Sequence, residues 1–241
     1  MLIKTKGIVI SQTKFSDSGI IVRIFTEELG IQAFFVRVPK GKRSKNKAAL
    51  FQPLTMLDLV VKYSERKTMH HINEAELWYN YSSLNSDMKK RSILFFIDEL
   101  LHKCLQEESH NKELFMWISN SLKWLDNSVG GYSNFHLVFM LQLTTFMGFF
   151  PTLAPNLNNP VFNLQEGEFS SNIPIHPNYI SGAIAQEIIS LCAINYEESN
   201  SLKLTKESRK KILDSLISYY KFHLPALGEF KSIEVLSVIL S

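Results

Sequence analysis

Runs of β-branched and aromatic residues alternate with turn residues over the first 80 positions of this 241-residue chain. Asp17-Ser18-Gly19 and Gly30 separate several of these runs, and this pattern is typical of short β-strands. The predicted strands are LIKTKGIVIS, GIIVRIFTE, GIQAFFVRV, LTMLDLVVKY and RKTMHHINEAEL. Five strands with a long connection between the third and the fourth indicate a small β-barrel.

After Tyr81 the apolar residues recur at spacings of three and four, which predicts helices. Ser86 or Asp87 can cap the first helix. Its apolar stripe consists of Ile93, Ile97, Leu100, Leu101, Cys104 and Leu105. Further helical stretches lie at about 112–127, 134–149, 181–195, 205–223 and 230–240.

The spacing of prolines interrupts the helical pattern. Five prolines lie between Phe150 and Tyr179 and exclude a continuous helix there. We therefore predict an α+β chain with two domains. Residues 1–80 form the β-barrel domain, and residues 81–241 form an all-α domain with an irregular Pro-rich insertion at about 150–180.

Positive charge is concentrated in the N-terminal third, although the formal net charge is only +3. Residues 1–80 hold 13 basic and 7 acidic side chains, whereas residues 81–241 hold 13 and 16. The positive field is therefore local to the predicted barrel.

Cysteine usage and hydropathy predict a cytoplasmic protein that does not insert into membranes. Cys104 and Cys192 are the only cysteines, so there is no disulfide framework. Both follow the apolar stripe of a predicted helix, and we interpret them as core residues. The N-terminal MLIKTKGIVISQ lacks the features of a signal peptide, and the apolar run at 137–150 is shorter than the ~18 residues that a membrane span needs.

Six basic side chains and no acidic one lie within the eleven residues 37–47, which we call the basic segment. They are Arg37, Lys40, Lys42, Arg43, Lys45 and Lys47. Like charges at this density repel one another, and a polyanion would relieve that repulsion. We favour nucleic-acid contact over the alternative, a solvated connection that keeps the protein soluble.

The third predicted strand places an aromatic residue beside the basic segment. With a two-residue period, Phe35 and Arg37 share one face and Phe34 and Val36 share the other. A phenylalanine next to a guanidinium could stack a base and hold its phosphate. Burial of Phe35 in the core is an equal alternative. Arg23 and Lys14 are candidates for extending the same positive surface.

Motifs of catalysis and metal binding are absent from the sequence. There is no GxGxxG, HExxH or GxSxG, and GKRS at 41–44 does not match a phosphate-binding loop. His70 and His71 are adjacent on a strand and face opposite ways, so we interpret both as solvent-exposed histidines. We expect no catalytic residue, no cofactor and no metal.

Two clusters of cations fall in the first turns of predicted helices, where the helix dipole disfavours positive charge. They are Lys89-Lys90-Arg91 and Arg209-Lys210-Lys211. A solvated helix face is the preferred interpretation. The alternative is a site for an acidic partner, such as an acidic peptide tail, or for a second nucleic-acid segment.

Several motifs together resemble the RecO family of bacterial recombination mediators. In the N-terminal part they are GIVI at 7–10, DSGIIVRIFTEELG at 17–30, the basic turn from Arg37 to Lys45, FQPLTMLDL at 51–59 and INEAEL at 72–77. QLTTFMGFFP at 142–151 and YYKFHLPALGEFKSIEVL at 219–236 are similar to the closing helices of that family.

This resemblance implies an OB-fold barrel followed by a helical domain. It implies a protein without bond-cleaving catalysis that binds single- and double-stranded DNA and anneals complementary strands. Together with RecR such a protein helps to load RecA onto strands coated by SSB, whose C-terminal tail is a further expected partner. Arg37 matches the family's arginine at the end of the third strand. The family's basic turn is similar in its positive charge to the segment that holds Lys40, Lys42, Arg43, Lys45 and Lys47.

The chain departs from the family pattern in two places. Many relatives carry a CxxC…CxxC zinc site in the irregular segment, whereas residues 151–177 contain no cysteine, so no structural zinc is expected. Val38-Pro39 follows Arg37 where the family has an Arg-Gly pair. The leading hypothesis is a DNA-binding mediator. The alternatives are a protein-interaction adaptor without direct nucleic-acid binding and an RNA-binding OB module.

Overall fold

The computed structural model describes residues 1–16, 18–38, 48–84, 86–105, 110–154 and 157–239. The chain divides into two compact units. Unit 1 comprises Met1–Ser86 and Ile97–Asp126, and unit 2 comprises Asp87–Phe96 and Asn127–Ser241. The domain boundary at residue 80 stays a prediction.

Unit 1 contains a closed five-stranded barrel with the strand order β1-β2-β3-β5-β4. The strands are β1 (Leu2–Ser16), β2 (Gly19–Thr26), β3 (Gly30–Arg37), β4 (Met56–Lys62) and β5 (His70–Tyr79). Neighbouring strands are antiparallel except β3 and β5, which pair in parallel through Phe34↔His70 and Phe35↔His71. A small closed barrel of five strands is the OB-like architecture that was expected.

The barrel interior is filled by the inward-facing residues of each strand, as the two-residue period predicts. Val22, Phe34 and Val61 are fully buried there. Gly7 allows a close approach of β1 to this core, because a Cβ at residue 7 would lie 2.6 Å from Cγ2 of Ile24.

After Tyr81 the described residues form six α-helices, and each predicted helical stretch contains one of them. The helices are α1 (Met88–Cys104), α2 (Lys112–Asn127), α3 (Phe135–Met147), α4 (Ala183–Cys192), α5 (Lys206–His223) and α6 (Ser232–Ile239). Asp87 caps α1, because its Oδ1 accepts the backbone N–H of Lys89 at 2.8 Å. Thr205 caps α5 by accepting the backbone N–H of Ser208 at 3.0 Å. None of the helices in the described ranges is long and apolar enough to cross a membrane.

The fold class is confirmed with one correction, because the insertion that was predicted to be irregular contains a small sheet. Its strands, in the order β6-β8-β7-β9, are β6 (Thr152–Leu153), β7 (Val161–Asn163), β8 (Glu168–Ser170) and β9 (Tyr179–Ser181). Phe162 and Phe169 hold the middle of the sheet, with stacked rings 4.3 Å apart. The prolines exclude a helix, but they permit strands of two or three residues separated by turns.

The interpretation of both adjacent histidines as solvent-exposed is wrong for His70. Its side chain is 2% exposed, and its Nε2 lies 3.1 Å from Oε1 of Gln32. The reason is the closure of the barrel, which pairs the start of β5 with β3 and turns His70 inward while His71 stays exposed. The two cysteines are partly exposed as residues, but burial raises the thiol pKa of each to about 12.

Candidate nucleic-acid interface

The C-terminal half of β3 separates into an inner and an outer face. Phe34 and Val36 are 0% and 4% exposed, whereas Phe35 is half-buried and Arg37 is exposed. These are the two faces that the sequence pattern predicts. Phe35 therefore lies outside the barrel core, and its ring and the Arg37 guanidinium belong to one surface.

Phe35 is part of an aromatic cluster on this outer surface, formed with Phe15 and His71. The ring of Phe15 is edge-on to that of Phe35 at 6.0 Å, and the ring of His71 is edge-on at 6.4 Å. Phe15 is 64% exposed. Gly19 lies beneath the Phe35 ring, where a Cβ would come within 2.5 Å of Cε2. The packing around Phe35 fixes its ring while leaving aromatic surface open to solvent.

A groove of about 450 Å³ adjoins this aromatic cluster. It opens between the end of β3 and the part of β5 that follows the paired residues Phe35 and His71. Its apolar lining includes Leu50, Phe51, Ile72 and Ala75, and its polar lining includes Arg37 and Asn73. The groove thus combines aromatic, apolar and cationic groups in one concave surface.

Arg37 and Leu50, which are described residues on either side of positions 39–47, both line this groove. Arg37 is the first cation of the basic segment, and the backbone N–H of Val38 donates to the carbonyl of Ser18 at 2.8 Å. On the far side of the segment, Phe51 is buried against the barrel core at 1% exposure. Lys40, Lys42, Arg43, Lys45 and Lys47 lie outside the described residues.

Arg23 shares the outer face of the barrel with Ala33, its register partner on β3. Its Nη2 donates to the carbonyl of Leu105, just past the end of α1, at 3.2 Å. The Arg23 side chain is half-buried, and this hydrogen bond gives it a structural role within unit 1. Its assignment to nucleic-acid binding stays a prediction, as does that of the exposed Lys14.

A second groove of unit 1 has the opposite electrostatic character. Four carboxylates and two lysines line it, and these are Glu27, Asp58, Glu74, Glu76, Lys4 and Lys6. Asp58 and Glu76 are direct partners across β4 and β5. Surplus negative charge disfavours a polyanion. Charge therefore disfavours this groove as a surface for nucleic acid.

The cation cluster at the start of α1 is partly used within unit 2. Lys90 is only 3% exposed, and its Nζ lies 5.3 Å from the centre of the Tyr132 ring. Lys89 and Arg91 are exposed. Of the three cations, these two remain on the surface as candidates for an acidic partner.

Two cations of the cluster at the start of α5 also have partners within unit 2. Nη1 of Arg209 donates to the carbonyl of Leu204 at 2.8 Å, and Lys211 forms an ion pair with Glu207 at 2.8 Å. Lys210 is exposed. The proposal of an acidic-partner site at either helix start stays a prediction.

Sequence reasoning missed Phe15, His71 and Asn73 as parts of the candidate interface. The sequence gave only a weak indication of Phe15 as an interface residue, namely an aromatic side chain next to a predicted turn. His71 and Asn73 gave none, because the approach of β5 to the end of β3 appears only in the folded barrel. Among the described residues, no group of three or more His, Cys, Asp or Glu side chains is arranged to hold a metal ion.

The closed five-stranded barrel, followed along the chain by helices, defines a chain of the OB-like barrel class. Comparison with known proteins then gives the family. The family model for the N-terminal part of recombination protein O matches residues 1–81, and the model for its C-terminal part matches residues 85–159. The chain belongs to the RecO family.

Curated relatives match along the whole chain. The DNA repair protein RecO of Phocaeicola vulgatus is 34% identical over 241 residues, which covers 100% of both chains. The DNA repair protein RecO of Flavobacterium psychrophilum is 36% identical and also covers 100% of both. The protein of the same name from Bacteroides fragilis is 33% identical over 98% of each chain. The family is therefore one of DNA repair and recombination proteins.

Proposed function

We propose that this chain is a DNA-binding recombination mediator in DNA repair. In this role it binds single- and double-stranded DNA, anneals complementary strands and, with RecR, helps RecA to load on single strands coated by SSB. The observation that carries the proposal is the outward pair of Phe35 and Arg37 on an OB-like barrel at the start of the basic segment. The RecO names of the full-length relatives support the same role.

Binding would be mainly electrostatic. Cations of the basic segment neutralise phosphates and release condensed counterions, which makes affinity dependent on salt and independent of sequence. The aromatic cluster adds stacking with bases. Annealing follows because two polyanions held on one positive surface repel each other less, and Watson–Crick pairing then completes the duplex. This mechanism requires no general acid, general base or nucleophile, and we propose a role without bond cleavage.

Protein partners would be recognised outside the barrel interface. The SSB C-terminal tail is the expected acidic partner, and the exposed cations of the two helix-start clusters could receive it. They are Lys89, Arg91, Lys210 and Lys211. An adaptor without nucleic-acid binding would instead depend on these residues alone. An RNA-binding module would prefer RNA to DNA of equal sequence, because only RNA carries the 2′-hydroxyl.

A strand-annealing assay tests the proposal. Two complementary oligonucleotides are mixed with the native chain, with a variant carrying Lys40→Ala, Lys42→Ala and Arg43→Ala, or with a matched variant. The matched variant carries Lys203→Ala, Lys206→Ala and Lys210→Ala, which removes three exposed charges from unit 2.

We expect the native chain and the matched variant to accelerate annealing and the variant of the basic segment to lose most of the acceleration. If the native chain anneals no faster than DNA alone, the proposed function is contradicted. If the matched variant is the slower one, the barrel is not the DNA site. A preference for RNA strands over DNA strands would favour the RNA-binding alternative.

A further inference from the structure

We infer that the groove between the ends of β3 and β5 binds one unpaired nucleobase and so distinguishes single-stranded from duplex DNA. This inference rests on the proposed function and deepens it. The basic segment neutralises phosphates that both kinds of DNA present, and it carries no information about pairing. The groove adds a contact that only an unstacked base can make.

The groove has the size and lining of a small-ligand site. Its volume of about 450 Å³ lies in the range of ~300–1,000 Å³ that is typical of such sites. Leu50, Ile72 and Ala75 provide an apolar floor, and Arg37 stands at the rim. An apolar floor with a cation at the edge matches a base that is still attached to its phosphate.

Phe35 provides a stacking surface that is held in place. Gly19 beneath it and Phe15 edge-on to it restrict the ring, so little freedom is lost when a base stacks. His71, edge-on to Phe35 at 6.4 Å, adds a second aromatic wall. Stacking of a base on an aromatic side chain tolerates all four bases, as annealing of arbitrary sequences requires.

A β-bulge places a polar side chain in the same groove. In the pairing of β4 with β5, Val61 is opposite Ile72 and Val60 is opposite Glu74, so Asn73 is the extra residue. Bulges re-aim side chains, and Asn73, whose amide carries both a donor and an acceptor, is one of the residues that line the groove. These groups complement the Watson–Crick edge of a base, which is unoccupied only in a single strand.

Strand pairing leaves further polar groups at this position. The pairs of β3 with β5 are Phe34↔His70 and Phe35↔His71, and within the described residues no strand pairs with this edge of β5 beyond His71. Backbone N–H and C=O groups of that edge have no strand partner among the described residues and, where they line the groove, could bond to a base. The consequence for annealing is that a bound base must leave the groove before it pairs, so the duplex product loses this contact.

Fluorescence anisotropy with two labelled probes tests the inference. One probe is a thymidine oligonucleotide of about 12 nucleotides, within the site size of ~4–16 for an OB fold, and the other is an abasic strand with the same number of phosphates. The proteins are the native chain, Phe35→Leu and Phe95→Leu. Phe95 is a matched control, 56% exposed and in unit 2.

We expect the native chain to bind the thymidine strand about 5- to 150-fold more tightly than the abasic strand, as one stacked base would give. Phe35→Leu should bring this ratio close to one without changing the salt dependence, and Phe95→Leu should keep the native ratio. Equal binding of both strands by the native chain overturns the inference, as does a ratio that survives Phe35→Leu.

Two further observations distinguish failure of the groove inference from failure of the proposed function and from misfolding of a variant. If both probes bind in a salt-dependent way and with equal affinity, only the groove inference is contradicted. If neither probe binds, the proposed function is contradicted as well. If circular dichroism shows that Phe35→Leu unfolds at a lower temperature than the native chain, Asn73→Ala is used instead. Asn73 is exposed, so its replacement should leave the fold intact. It should lower the ratio several-fold, and an unchanged ratio in a folded Asn73→Ala protein contradicts the inference.

Discussion

The ring of Phe35 lies directly over Gly19, so that a Cβ at residue 19 would come within 2.5 Å of Cε2 and 2.7 Å of Cζ. The two residues are near neighbours on the antiparallel strands β2 and β3, where Gly19 is registered with Arg37. Glycine at this position allows the aromatic ring to lie flat against the barrel beside the groove.

Gly19→Ala should therefore displace the Phe35 ring. Overpacking of this kind costs roughly 1–3 kcal/mol, and we expect a lower unfolding midpoint together with weaker binding of single strands. Duplex binding should change less, because phosphate contacts do not depend on the ring. The control is Gly130→Ala, where a Cβ would meet no atom within 4 Å. Native-like single-strand affinity in Gly19→Ala would refute the positioning role of Gly19.

The carboxylate of Asp126 joins the end of α2 to the segment after β5, and it should stabilise unit 1 in a pH-dependent way. Burial raises its pKa, but hydrogen bonds from the backbone N–H groups of Ser82, Ser83 and Leu84 outweigh burial and hold the pKa at about 2. Since the unfolded value is about 3.9, this stabilisation is complete above pH ~4 and is lost as the pH falls toward 2.

Asp126→Asn removes the charge but keeps the shape. Hydrogen bonds to a charged group contribute about 1.5–3 kcal/mol, so we expect a loss of that order in the free energy of unfolding at pH 7. The variant should also be less sensitive to pH between about 4 and 2 than the native chain. Urea titrations at a series of pH values measure both effects, and equal stability of the two proteins at pH 7 would rule out the anchoring role.

Arg23 should matter for stability, because its guanidinium donates to the carbonyl of Leu105. We expect Arg23→Met, which keeps most of the apolar stem, to lower the free energy of unfolding by about 1–2 kcal/mol. Thermal unfolding followed by circular dichroism measures this. A variant with native stability but a shallower salt dependence of DNA binding would instead identify Arg23 as a phosphate contact.

His136 should make unit 2 sensitive to mild acid. Burial, assisted by the nearby charge of Arg209, lowers its pKa to about 3, so the folded state holds it neutral. The unfolded state takes up a proton below about pH 6.5, and stability therefore falls as the pH drops from about 6.5 toward 3, by up to ~1.4 kcal/mol per pH unit.

Replacement of His136 by Leu should reduce the fall in unfolding temperature between pH 7 and pH 5. His71→Gln, a change at an exposed residue, is the control and should keep the native fall. If His136→Leu and the native chain lose the same amount over this interval, the buried histidine is not responsible.

Local patterns predicted the elements of this fold well. The two-residue period gave the outward pair of Phe35 and Arg37, and the polar residues before the first helix gave Asp87 as one of two candidate caps. These features depend on a residue and its near neighbours, which the sequence displays directly.

Long-range pairing could not be predicted in the same way. Closure of the barrel by β3 and β5 buries His70 and creates the groove, and the Asp126 carboxylate binds backbone groups more than 40 residues earlier in the chain. The bulge at Asn73 depends on the register between β4 and β5. Each of these depends on which strands and helices meet, and no periodicity within one segment encodes that.

The most direct test of DNA binding by the basic segment is the affinity for a labelled single-stranded oligonucleotide across a salt series. The native chain is compared with a variant in which Lys40, Lys42, Arg43, Lys45 and Lys47 are all alanine. With four to six phosphate contacts, log K should fall with log salt at a slope of about −3 to −4 for the native chain, and the variant should lose both affinity and slope. Equal affinity and equal slope for the two proteins would contradict the account.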